Sequence, residues 1–537
     1  MEKSVSRRSL LKTFGAGAAV LSLSGLLEAC GAASGGKAAV DQVSWALTGS
    51  APQALDVAVS YTLSCLEVLA LCQETLVTVD SETKLQPQLA ASWEQPDDHH
   101  FVYHLRTDVK FADGSPMTAD DVVFSLQRHR DPKVASQIAT FFENVAKIEA
   151  TGADQVTVTL SQPDELFRYV PTFVFIMPRK YAEQLGAKYG APGNSVSVLG
   201  TGPYRVTKFV GNSATVEVND HYWKKSAAPT VKRAKFDWIT NPQTIYLAMQ
   251  AGSIDGVFNF RPGQYRAFDT LPTAATTYGP AVTTFYWCFN VEAPPWNDVH
   301  VRRAIAHATD RAGYVKAYLA GHGEAARAIP TPASWSSIAS PDEVQRIYAG
   351  LRDYPYDLAK AKAELAQSAH PQGFTADISF PDIAPDLGQS LVSLASALKT
   401  IGIELRVREQ DTTAWAAAQL AHKDLGMNVK GPNPSFMDPS DVITQILASG
   451  NAVKNGLNLA NYRNPEVDDL LRRQNSTADN AGRREMLARI LSIVAEDVPY
   501  FPVYSLGTPM ALSKKLAYAG FNPLFNLQNW LGSMTAA

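Results

Sequence analysis

The sequence predicts a mixed α/β protein, and two observations carry that expectation. Residues 156–160 (VTVTL) and 404–409 (ELRVRE) alternate with period two, as half-buried strands do. Between such segments lie apolar stretches with helical spacing and recognisable caps, so helices and strands interleave along the whole chain.

The first 29 residues read as an address label. Lys3, Arg7, Arg8 and Lys12 form a basic region, and residues 14–27 carry no charge. Those 14 residues would reach only about 21 Å as a helix, short of a hydrocarbon core about 30 Å thick. The Arg7–Arg8 pair resembles a twin-arginine export signal, and LEAC at 27–30 resembles a bacterial lipobox, with Cys30 as the lipidated first mature residue. Residues 30–40, rich in Gly, Ala and Ser, read as a flexible tether.

Further along, Cys65 and Cys72 on one helix would stand about 10 Å apart, beyond disulfide reach, so with Cys288 they read as buried thiols. His99, His100 and His104 fall on a strand and read as surface groups. At Thr118 a good N-cap precedes Asp121 by three residues, a capping-box pattern that starts a helix at Ala119. Leu391, Leu394, Ala395 and Leu398 share one helical face; Gly402 stops that helix and the chain turns into a strand. Asp357, Asn464 and Asp479 cap three more helices.

The chain of 537 residues is too long for one core and reads as two or three domains. A net charge of −4 from 48 basic and 52 acidic residues argues against nucleic acid as partner. No CxxC, HExxH, GxSxG or Walker pattern is present, and adjacent acids such as Asp97–Asp98 and Asp120–Asp121 diverge, so no catalytic residue, metal or cofactor is expected.

Several ordered segments carry a resemblance. LAASWEQPDDHHFVYHLRTDVKFADGSPMTADDVVFSLQR at 89–128, GTGPYRVTKFV at 200–210, FNVEAPPWNDVHVRRAIAHATDR at 289–311, LKTIGIELRV at 398–407, YRNPEVDDLL at 462–471 and AEDVPYFPVYS at 495–505 are similar to the pattern of extracellular solute-binding proteins, family 5. That resemblance implies a two-lobed periplasmic-binding-protein-like fold, of the large three-domain type II kind, with a central ligand cleft. It divides the chain into a discontinuous first lobe (41–78, 200–286 and 506–537), a smaller domain inserted at 79–199, and a second lobe at 287–505.

The resemblance also implies a function in which binding shifts an open–closed equilibrium and no bond is made. The expected partners are a peptide or small-molecule solute, the permease subunits of an ABC importer, and the membrane through the lipid on Cys30; the expected form is a monomer on the extracytoplasmic face. A secreted hydrolase and a sensory binding protein feeding a receptor are the alternatives. The residues expected to line the cleft are Tyr61, Thr62, Phe258, Asn259, Phe260, Tyr286, Trp287, Trp415, Lys430, Gly431, Asn433, Phe436 and Asp438. Aromatic side chains suit such a role because they offer broad, rigid contact area.

The solute is less legible. Peptide binders of the family resemble one another in a WxxDxxDP-like loop whose first acid meets the α-amine. Here Asp438 and Pro439 match its second half, whereas Val429, Asn433 and Pro434 stand where the tryptophan and first acid are sought. The loop at 379–389 (SFPDIAPDLGQ) contains no arginine where dipeptide binders receive the carboxylate. Both family handles for a zwitterion are missing at those places, which argues against an ordinary short peptide with free termini.

Overall fold

In the computed structural model, residues 39–193, 197–423, 425–431 and 434–537 are described. The export signal, most of the tether, Cys30 and Asn433 lie outside the described residues.

The expected local signals become elements for the expected reasons. Thr118 accepts from the Asp121 amide while the Asp121 carboxylate accepts from the Thr118 amide, and the helix Ala119–Arg128 follows. The helix Pro385–Lys399 buries Leu391, Leu394 and Leu398 completely, with Ala395 at the edge of that stripe. It gives way at Gly402, where φ of +98° suits a residue without Cβ, to the strand Ile403–Gln410. Asp357, Asn464 and Asp479 each accept backbone amides of the helices they open. Cys65, Cys72 and Cys288 are buried and free.

A nine-stranded mixed sheet organises the molecule. Its path runs Met427–Lys430, Ala274–Phe289, Tyr500–Ser513, Gly256–Phe258, Val40–Thr48, Val231–Ile239, Ser213–Val218 and Tyr204–Val210, and Gly323–Ala325 adds to Tyr500–Ser513. Val40–Thr48 pairs in parallel with both Val231–Ile239 and Gly256–Phe258. The long strands Ala274–Phe289 and Tyr500–Ser513 pair antiparallel along most of their length. Their register slips at Gly279/Ala281, Ala281/Thr283 and Phe285/Tyr286, the irregularity that bends and twists a ladder.

A four-stranded antiparallel sheet, in the order Ala90–Glu94, His100–Leu105, Gln155–Leu160 and Val145–Gly152, packs on the same apolar core as the helix Leu63–Cys72. A small parallel pair, Phe374–Pro381 with Ile403–Gln410, is covered by Pro385–Lys399. The fold is thus α/β, of the two-lobed periplasmic-binding-protein kind.

Candidate functional site

In open α/β sheets, ligands bind beyond the carboxyl ends of parallel strands, where loops diverge. Gly256–Phe258 ends at Asn259–Arg261, Phe374–Pro381 ends before Asp382–Asp386, and the edge strand Met427–Lys430 ends at Gly431. These loops, with the residues around Tyr61, are where a cleft is expected.

An aromatic seam lies there. The loop from Pro434 to Asp438 carries Phe436 into a socket built by distant parts of the chain. Its ring centroid lies 5.0 Å from Phe141, 5.6 Å from Phe173 and 5.7 Å from Tyr169, the last stacked at 25°. Tyr61 completes the socket, edge-on to Phe141 and Phe173 at 6.1 and 5.8 Å. Burial pushes the Tyr61 phenol up to about 12, and its hydroxyl hydrogen-bonds Ser435.

Two buried acids hold that loop in place by different means. Asp438 caps the helix Pro439–Leu447 and accepts from Arg483 through both oxygens at 2.9 Å. Asp441, one turn further on, accepts from the Ser435 and Phe436 amides at 2.6 and 3.1 Å and from the Gln445 amide at 2.9 Å. Burial raises its carboxyl to about 6 despite those donors. Around the rim, Asn475 donates to Asp164 at 3.1 Å, the hydroxyls of Thr83 and Ser336 meet, and Ser337 hydrogen-bonds Tyr169.

The expected lining residues fall into separate groups. Tyr61 and Phe436 come together in the seam, and exposed Thr62 caps the helix Leu63–Cys72 beside it. Gly431 lies on the Phe285 ring, so close that a Cβ would stand 2.8 Å from it, and Phe285 stacks on Tyr504. Lys430 is half-buried, its ammonium pulled down by burial, and among the described residues it forms no ion pair. Trp415 is half-buried with its indole N–H on the Ser379 carbonyl.

Phe258, Phe260, Tyr286 and Trp287 are core. Phe258 stacks on Phe525 at 3.8 Å, Phe260 packs on Phe268 at 4.2 Å, Tyr286 meets Tyr500 edge-on, and the Trp287 indole donates to Thr309. Asn259 sits at φ +52°, its amide on the Pro509 carbonyl. Asp438 is buried in its pair with Arg483 and belongs to the loop's anchor. Reading the sequence did not single out Phe141, Tyr169, Phe173 or Asp441, because nothing local marks them as neighbours of residue 436.

Of two pockets, the first bears on the site. One of about 270 Å³, counting its open mouth, lies against the long strand at Val282 and Thr284 and under Pro434, Asp438 and Pro439. It also contains Thr331, whose buried hydroxyl has no partner among the described residues. A roomier pocket of about 560 Å³, between Ile443, Leu491 and Tyr500 with Arg311 and Arg352 at its edge, is lined only by residues 311–502 and stands apart from the seam. Asp97, Asp98 and His99 are grouped closely enough to hold a cation, but they are surface groups with His99 already on Asp98. Among the described residues, no helix is long and apolar enough to cross a membrane.

Comparison with known proteins agrees with this architecture. Residues 84–454 match the family description "Bacterial extracellular solute-binding proteins, family 5 Middle". The chain belongs to that family, the solute-binding proteins of ABC importers. Among relatives, heme-binding protein A of Haemophilus influenzae is 28% identical, covering 79% of this chain and 80% of its own. A probable D,D-dipeptide-binding periplasmic protein of Escherichia coli, DdpA, is 26% identical over 88% of this chain and 90% of its own. Among solved structures, the ABC transporter substrate-binding protein CtaP of Listeria monocytogenes superposes with a TM-score of 0.81 at 21% identity, covering 93% of this chain and 99% of that one, and so shares the fold.

Proposed function

We propose that this chain captures a solute between two lobes and hands it, unaltered, to the permease of an ABC importer. On this reading the lobes divide within the long strand pair, near 286/287 and 505/506, with 79–199 riding on the first lobe. The slipped register of that pair supplies the hinge, since a few residues at element ends absorb the change in φ and ψ. The observation that carries the reading is the aromatic seam. Phe436, on the second side, is 6% exposed in a socket of residues from the first, so the two bodies meet through a knob that can withdraw.

The relatives' names span heme and a D,D-dipeptide, so membership of the family does not fix the solute. Export by the twin-arginine-like signal and anchoring through a lipid on Cys30 would hold the protein beside its permease. Native mass spectrometry after gentle purification tests the capture. A small molecule released intact by denaturation is expected; a solute chemically changed by incubation contradicts the reading and favours a hydrolase.

A further inference from the structure

The larger of the two pockets lies wholly within residues 311–502, apart from the aromatic seam. Counting its open mouth it encloses about 560 Å³, inside the range of about 300–1,000 Å³ usual for small-molecule sites. The helix Pro439–Leu447 gives Ile443 and Ile446 to its wall, the helix Asn480–Asp497 gives Leu491 and Val494, and Tyr500 and Phe501 of the long strand complete it.

The polar groups of that wall are spent on the protein itself. The Tyr500 hydroxyl donates to the Ile446 carbonyl at 2.8 Å and accepts from the Ala460 amide, and the Tyr354 hydroxyl donates to the Ala495 carbonyl at 2.8 Å. Among the described residues, no buried side-chain nitrogen or oxygen of the lining lacks a partner. The interior makes no demand for a polar guest, and its aliphatic side chains favour an apolar chain.

The mouth is built differently. Arg311 and Arg327 share a single oxygen, Asp353 Oδ1, with Arg311 at 2.7 Å. Arg352 meets Glu496 Oε2 at 2.5 Å, the same oxygen that Arg303 reaches at 3.4 Å. Four guanidiniums thus lean on two carboxylates, a surplus of two positive charges, and among the described residues these four arginines form no other ion pair. Arg311 is the most withdrawn from water of the four, its side chain 12% exposed, and a partly desolvated cation that owns only a share of one acid gains from a second anion. Arg311 lies over Phe501, 5.3 Å from the ring centroid, and Arg352 over Tyr354 at 5.4 Å, contacts that keep both guanidiniums at the rim of the apolar wall.

We propose that this pocket is a second ligand site and that it takes a single-chain carboxylate, with the hydrocarbon among Ile443, Ile446 and Leu491 and the head group at the arginine mouth. Planar guanidiniums suit a carboxylate because each can offer it two parallel N–H donors. A neutral chain leaves the surplus charge uncompensated, an ammonium head is repelled by it, and a small hydrophilic anion leaves the aliphatic wall to water. Such a ligand touches only residues of 311–502, so its place is separate from that of a solute held between lobes, and the assignment does not rest on the capture reading.

The test is NMR of the purified chain with methyl-labelled isoleucine, titrated with carboxylates from butanoate to decanoate and, at fixed length, with octan-1-ol and octylamine. Saturable shifts are expected at Ile443 and Ile446, with affinity rising about fourfold per added methylene until the pocket is full. Octanoate should bind about tenfold or more tightly than either the alcohol or the amine, the effect of one hydrogen bond to a charged group. Arg311→Gln and Arg352→Gln should each cost octanoate about tenfold while sparing octan-1-ol. Ala495→Leu, which enlarges a lining residue, should weaken every chain alike, and Phe436→Ala, in the seam, should leave octanoate binding unchanged. Absence of saturable binding at every length, shifts that spare both isoleucines, or equal binding of octanoate, the alcohol and the amine overturns the assignment. Should Ala495→Leu not fold, the two arginine variants and the head-group comparison decide it.

Discussion

The socket around Phe436 and the flank that carries Arg261 and Asp386 are built on different terms. At the aromatic seam the main groups have partners: Phe436 fills its socket, Asp438 has Arg483, and Asp441 has two backbone amides and a glutamine, while Arg483 Nε and Asn475 Oδ1 stay unmatched among the described residues. At the Arg261–Asp386 flank both charged side chains are half-buried and, among the described residues, neither forms an ion pair.

The contrast can be broken at its strongest point first. Arg483→Ala leaves Asp438 buried without its cation and should destabilise the folded chain by about 3–5 kcal/mol, read as a loss of urea midpoint. Arg261→Ala, on the other flank, should leave the same midpoint nearly unchanged. Phe436→Ala empties the socket and should cost the closed form about 3 kcal/mol, near the low end for a buried Phe→Ala change. Its signature is a larger radius of gyration without solute, and an unchanged radius would deny the knob its role.

Acid titration sharpens the comparison further. The Asp441 carboxyl sits at about 6 when folded against an ordinary value of 3.8. Between those values the folded chain holds more protons than the unfolded one, so this group's contribution to stability falls as pH rises through the window. Wild type should lose ground against Asp441→Asn between about pH 4 and 6, by on the order of 2–3 kcal/mol, and then run parallel to it. A difference that grows in the opposite direction would mean that the carboxylate, held by its three donors, is the preferred form. The smallest effect expected is at the rim, where Asn475→Ala removes one hydrogen bond to Asp164 and should cost about 1 kcal/mol or less of the closed form.

The parts of this molecule that were legible in the sequence are those governed by near neighbours. The Thr118–Asp121 box, the caps at Asp357, Asn464 and Asp479, and the helix-to-strand turn at Gly402 depend on residues a few places apart, and each appears where the spacing puts it. The site was legible only in fragments. Phe258 and Trp287 looked like pocket aromatics because they sit beside predicted crossings, but their strands lie within the central sheet, with partners on both sides, where a large ring becomes core. The socket around Phe436 joins distant stretches of chain, and no local pattern encodes which loops the fold will bring together.

The central claim, that two bodies grip a solute and leave it unchanged, is tested most directly by a distance across the cleft. Spin labels on cysteines at the exposed positions Lys188 and Lys362 would lie on opposite lobes, with the native Cys65, Cys72 and Cys288 buried out of reach. Pulsed electron resonance should give a broad distribution without solute that narrows and shortens when the recovered solute is returned at saturation. A distribution that does not move with solute bound would contradict the account.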